Sequence, residues 1–92
     1  MKAYVLVQAD PTRVRNVVDA VKGKGVAGCR VLSAEAVTGP YDVVLVCEGE
    51  NLDAIGRCVL DVCARVQGVQ RTLTCLVSYP AGAPTPRRRP AR

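Results

Sequence analysis

Val37-Thr38-Gly39-Pro40-Tyr41-Asp42 divides a 92-residue chain into two segments of similar design. Gly39-Pro40 marks a turn, because glycine tolerates backbone angles that other residues avoid and proline fixes its own. Asp42 is a carboxylate pressed against the apolar run Val43-Val44-Leu45-Val46, where charge is normally avoided. The stretch is the one place where several polar, shape-setting residues converge. Read as a hairpin, it makes the chain two consecutive strand-helix-strand units.

The first unit opens with Ala3-Tyr4-Val5-Leu6-Val7-Gln8, a short run rich in strand formers. Asp10-Pro11 then signals a helix start, with the aspartate as N-cap and the proline in the first turn. Val14, Val17, Val18 and Val21 recur at helical spacing, and Gly23-Lys24-Gly25 ends the element. Valine is a modest helix former, so this helix depends on packing its stripe against a sheet. Val26 to Val37 reads as a long second strand with Cys29, Val31, Ser33, Glu35 and Val37 on one face, and Gly28 near its start suits a bulge.

The second unit repeats the plan. Asp42 to Glu48 reads as a strand apolar on both faces. Asn51 suits the cap of a second helix whose inward stripe is Leu52, Ile55, Val59, Val62, Cys63 and Val66. Gly68 closes that helix, and Val69 to Tyr79 is the last strand. Gly25-Val26 and Gly68-Val69 mark the same point in the two halves. The order β-α-β-β-α-β, with right-handed crossovers, places both helices on one side of a four-stranded sheet. That is an α+β, ferredoxin-like sandwich. Because the first and third strands are apolar on both faces, the uncovered face needs a partner, and two sheets closing face to face as a dimer, or a larger ring, is the economical solution.

Residues 1–79 form one domain, near the lower size limit for a self-sufficient core. Phe and Trp are absent and Tyr4, Tyr41 and Tyr79 are the aromatic residues, so the core is aliphatic. The net charge of +5 resides mostly in the tail 80–92: residues 1–80 carry nine Lys/Arg against eight Asp/Glu, and Arg87, Arg88, Arg89 and Arg92 supply the rest. This Pro/Arg-rich tail reads as a flexible, solvated extension, in preference to a nonspecific contact with nucleic acid.

Five cysteines, an odd number with no secretory signal before them, read as small hydrophobes of a cytoplasmic protein rather than a disulfide framework. No apolar run is long enough for a membrane span. With no histidine, no C-x-x-C pair and no glycine-rich phosphate loop, the sequence supplies no metal site, no cofactor site and no Ser-His or Cys-His nucleophile. Glu35 and Asp42 are not spaced as an acid-base pair. The central strands lack the aromatic residues an RNA-recognition surface would stack on bases.

Recognition of an amino acid-like zwitterion fits better. Backbone N–H groups around Gly39-Pro40 suit a carboxylate, and Asp42 suits an ammonium group. Thr72 and Thr74 alternate along the last strand and so share a face. Each has a plainer reading: Asp42 as a turn cap, Gly39 and Pro40 as turn formers, the threonines as ordinary strand residues, and Tyr41 as a core or interface anchor.

The run Val37-Thr38-Gly39-Pro40-Tyr41-Asp42, with Gly68-Val69 and Thr72-x-Thr74, resembles the effector-binding module of the leucine-responsive/AsnC (Lrp/AsnC) regulators over residues 3 to about 79. The resemblance implies a dimeric α/β barrel, assembly of dimers into rings, and amino acids bound between dimers. By position it implies effector contacts from Thr38, Gly39, Tyr41 and Asp42, with Thr72 and Thr74 lining the same pocket from a neighbour. Family regulators usually begin with a helix-turn-helix domain, whereas this chain starts at the first strand. The expectation is therefore a stand-alone, non-enzymatic sensor that forms homo-oligomers, does not bind an operator alone, and pairs with full-length regulators. The alternative is a cofactor-free enzyme of the dimeric α/β-barrel class, monooxygenase- or isomerase-like, with its pocket between the sheet and the helices.

Overall fold

A computed structural model describes residues 1–78; the expected boundary at 79/80, Tyr79 and the basic tail lie outside the described residues. The strands are β1 (Lys2–Ala9), β2 (Gly25–Val26), β3 (Cys29–Ala36), β4 (Val43–Gly49) and β5 (Val69–Leu76). They form one sheet in the order β2-β3-β4-β1-β5, and every neighbouring pair is antiparallel. Setting aside the two-residue β2, this is the expected ferredoxin-like arrangement.

Helix α1 (Val14–Val21) follows a 3₁₀ turn at Pro11–Arg13. The Thr12 amide and hydroxyl both donate to Oδ1 of Asp10, at 2.9 and 2.8 Å, which starts the turn and holds the Asp10 carboxyl below its ordinary value. Helix α2 (Leu52–Cys58) is capped by Asn51, whose Oδ1 accepts from the Ala54 amide at 2.9 Å. It continues as a π-helical turn over Val59–Cys63, closed by the Ala64 amide donating to the Val59 carbonyl at 2.8 Å. That wider turn brings Cys63 round to the side of Cys58, and both are fully buried.

Both helices cover one sheet face. Val5, Val7, Val43, Leu45 and Cys47 pack there against Val17, Val21, Ile55 and Cys58, all at most 1% exposed. Complete burial of each such side chain contributes roughly 1.5–3 kcal/mol. Four cysteines, Cys29, Cys47, Cys58 and Cys63, meet in this layer as free thiols, while Cys75 is exposed. The core is aliphatic, as composition requires.

Three expectations need correction. The single second strand is instead a tight hairpin: β2 and β3 pair as Gly25↔Arg30 and Val26↔Cys29, with Gly28 at φ +85° in the turn. A register shift between Val31 and Ser33 then breaks the even alternation of β3. Cys29 and Val31 face the core, but beyond the shift Ala34 does so, and Ser33 and Glu35 lie opposite Val46 and Val44 on the other face. An inserted residue reverses side-chain parity, which periodicity alone does not reveal. Finally, Leu52 is not part of the inward stripe of α2 but is 56% exposed.

The uncovered face has an apolar centre and a charged rim. Cross-strand register lines up Val46, Tyr4 and Cys75 in one row and Val44, Leu6 and Leu73 in the next. Arg30, Glu48 and Lys2 bound these rows at one end, and Gln8 beside Arg71 at the other. Lys2 Nζ lies 5.3 Å from the centre of the Tyr4 ring.

Candidate functional site

Three strand ends meet at the β3–β4 hairpin. The Val37 amide donates to the Asp42 carbonyl at 2.9 Å and closes the loop. Within it Gly39 has φ +142°, a backbone region that side chains disfavour, so glycine is needed at this point. Thr38, Gly39 and Pro40 are exposed, whereas Tyr41 and Asp42 are half-buried.

Asp42 extends the β1–β4 ladder past its last paired residue. Its amide donates to the Val7 carbonyl at 2.8 Å, and its Oδ2 accepts from the Ala9 amide at 2.8 Å. The carboxylate thus replaces a strand carbonyl that β4 does not provide. Beside it, Gln8 Nε2 donates to the Pro40 carbonyl at 3.0 Å and ties the loop to β1. On the far edge of β1, the Asp10 amide donates to the Gly68 carbonyl at 2.8 Å, which fixes the start of β5.

The expected second half of the site follows from that register. Thr72 pairs with Val7 and Thr74 with Val5, so both threonines lie on the helix side of the sheet. Thr72 is half-buried and Thr74 exposed, because the helices do not reach across β5. Val7 is the shared neighbour, bonded to Asp42 on one side and paired with Thr72 on the other. Asp42 and Thr72 therefore stand at the same end of the sheet with β1 between them. Thr74 is two residues further along.

Two open grooves among the described residues are lined by other side chains. One, of about 570 Å³, lies at the β2–β3 turn beside Arg30, Leu32, Glu48 and Glu50. The other, of about 600 Å³, is lined by Pro11, Thr12, Arg15 and Asn16 of the α1 start and by Ala36. Between helices and sheet no polar or charged side chain is buried among the described residues.

Sequence reasoning passed over Gln8 and Ala9. The signal for Gln8 was present: it is the polar residue that ends an apolar strand, on the face shared with Tyr4 and Leu6. Ala9 contributes only its amide, which no side-chain pattern can mark.

No curated protein matches the chain. Among solved structures, TTHA0845 from Thermus thermophilus is similar at 27% identity and a TM-score of 0.71, over 86% of this chain and 96% of that one. A hypothetical protein from Pyrococcus horikoshii, PHS023, matches at 19% identity and a TM-score of 0.71, over 87% and 92% of the two chains. E. coli AsnC has a similar fold at 14% identity and a TM-score of 0.76, over 91% of this chain and 54% of AsnC. The family model for the Lrp/AsnC ligand-binding domain matches residues 2–80. With the match spanning nearly the whole of the described residues, the chain belongs to the family of Lrp/AsnC ligand-binding domains.

Proposed function

We propose that this domain binds an amino acid, or a closely related small zwitterion, at the β3–β4 hairpin and reports the ligand through its oligomeric assembly. The observation that carries the reading is the state of Asp42. One carboxylate oxygen is committed to the Ala9 amide, which holds the side chain still, and the second oxygen remains to accept from an ammonium group. Thr38, Gly39 and Tyr41 would frame the ligand from the same loop. Thr72 and Thr74, uncovered on β5, would face it from a neighbouring copy, since one protomer leaves the hairpin open.

Assembly supports this reading. The rows Val46–Tyr4–Cys75 and Val44–Leu6–Leu73 form an apolar surface of the kind that soluble proteins cover. A second copy closing on it gives a homodimer in the form of an α/β barrel, and contacts between such dimers would complete the effector sites in a ring. The role that follows is regulatory and non-enzymatic: a cytoplasmic sensor that acts on transcription through mixed assemblies with full-length regulators. Free thiols at all five cysteines fit that compartment. The enzymatic alternative needs a polar pocket between helices and sheet, and that layer is packed with valine, leucine, isoleucine and cysteine.

Calorimetric titration with the twenty amino acids, with molar mass followed by light scattering, tests the reading. Heat and a change of assembly state with at least one of them are expected. No heat and no thermal shift with any at millimolar concentration would reject it.

A further inference from the structure

Helix α2 and its π-turn leave one side bare. Leu52 and Leu60 are 56% and 65% exposed, and Gly56 and Ala64 between and beyond them are exposed too. At about 100° per residue, residues 52, 56 and 60 fall on one ridge, opposite the buried Ala54, Ile55 and Cys58. The wider turn at Val59–Cys63 brings Ala64 onto the same ridge. A side chain built on Gly56 would meet nothing within 4 Å, so the ridge has a gap between its two leucines.

Beside the ridge run Asp53, Arg57, Asp61 and Arg65, all exposed, with sign alternating every four residues. Read backwards, this pattern is its own complement. If a second α2 lies antiparallel about a twofold axis near Val59, Asp53 stands opposite Arg65 and Arg57 opposite Asp61, twice each. In antiparallel helix pairs the same flank of each helix meets its counterpart, as this match requires. Nearly the same rotation seats Leu60 of one copy in the gap at Gly56 of the other, and Leu52 against Ala64.

We infer that α2 is a docking surface for α2 of a second copy of this chain, packed antiparallel with Leu60 over Gly56 and flanked by Arg57–Asp61 pairs. A merely solvated helix face would account for the charges through pairs within the helix. Among the described residues one such pair forms, Arg65 to Asp61 at 3.8 Å, while Arg57 Nη2 reaches the Ala27 carbonyl at 3.3 Å. Solvation does not account for two leucines more than half exposed around an empty glycine position. The α2 contact lies on the side of the sheet opposite the apolar rows of the uncovered face. A protomer with two such self-complementary faces can build assemblies larger than a dimer. None of this depends on the effector reading.

Sedimentation equilibrium on the full chain tests the inference, with Leu73→Glu as a background in which the sheet-face contact is removed. Residual association is expected in that background, and adding Leu60→Glu should abolish it without changing the circular dichroism spectrum. In the same background Arg57→Asp and Asp61→Arg should each weaken association about tenfold or more, because like charges then face each other. The double variant Arg57→Asp/Asp61→Arg should recover it, since the pairs reform with signs exchanged. A monomeric Leu73→Glu chain, a Leu60→Glu variant that associates as before, or a double variant as weak as the singles would each overturn the inference.

Discussion

The amide of Ala9 donates to Oδ2 of Asp42 across 2.8 Å, so the end of β1 is held by a hairpin side chain rather than by a strand carbonyl. With the Asp42 amide on the Val7 carbonyl, this one residue fastens two positions of β1, Val7 and Ala9, on either side of Gln8. The carboxylate is structural before it is anything else, and a ligand at this loop would meet a group already fixed in place.

Removing that acceptor should show in stability as well as in binding. Asp42→Ala leaves the half-buried Ala9 junction without a partner, and a loss of about 1–3 kcal/mol is expected in urea unfolding. Asp42→Asn keeps an acceptor oxygen and should recover most of that loss while still weakening the binding of a cationic group. Equal destabilisation by both variants would count against the hydrogen bond as the cause.

The same particulars show what the sequence made legible. The hairpin announced itself through Gly39-Pro40 and an aspartate beside four apolar residues, and the valine stripes of α1 could suit only a helix lying on a sheet. The shift at Val31–Ser33 could not be read, because an extra residue in a strand leaves no mark on composition. The outward turn of Leu52 was hidden because a leucine at the start of a helix satisfies the same spacing as one in its core. Gathering Asp42 and Thr72 around Val7 depended on strand order, which no local pattern specifies.

Two glycines separate backbone strain from crowding. At Gly39 (φ +142°) an added Cβ meets nothing within 4 Å, so Gly39→Ala should cost about 1–3 kcal/mol through backbone conformation alone. At Gly49 the Cβ would lie 2.6 Å from Ile55 Cγ1, so Gly49→Ala should cost about 1–3 kcal/mol through overpacking. Pairing each with a second change distinguishes them: Ile55→Ala, which removes Cγ1, should make Gly49→Ala cost less and leave the cost of Gly39→Ala unchanged. Thermal melts of the four variants check this.

Alkaline pH should loosen the core. Burial, reinforced by neighbouring thiols, pushes Cys47, Cys58 and Cys63 from 9.0 up to about 12. Below about pH 9 folded and unfolded chains both keep these protons, so stability does not depend on them. Above it the unfolded chain releases protons that the fold retains. Stability should then fall with rising pH until the thiols ionise in the fold near 12. Urea midpoints between about pH 8 and 10.5 measure the slope, and Cys63→Ala should make it shallower. An unchanged slope would remove Cys63 from the account.

The exposed thiol provides a contrast. Cys75 lies in the apolar row with Val46 and Tyr4 on the uncovered face. A thiol-reactive dye at neutral pH should label Cys75 in the Leu73→Glu variant, whose sheet-face contact is removed, much faster than the four buried cysteines. In the assembled wild-type chain, Cys75 should be protected. Equal labelling in both would show that the sheet face remains open.

A core built without phenylalanine or tryptophan also leaves the molecule optically quiet. Of the two tyrosines among the described residues, Tyr4 stands on the apolar sheet face and Tyr41 in the hairpin. Neither is committed to the interior. With Tyr79 replaced by phenylalanine, tyrosine emission comes from these two surfaces, and replacing Tyr4 or Tyr41 as well would leave a single reporter, one for assembly and the other for the loop.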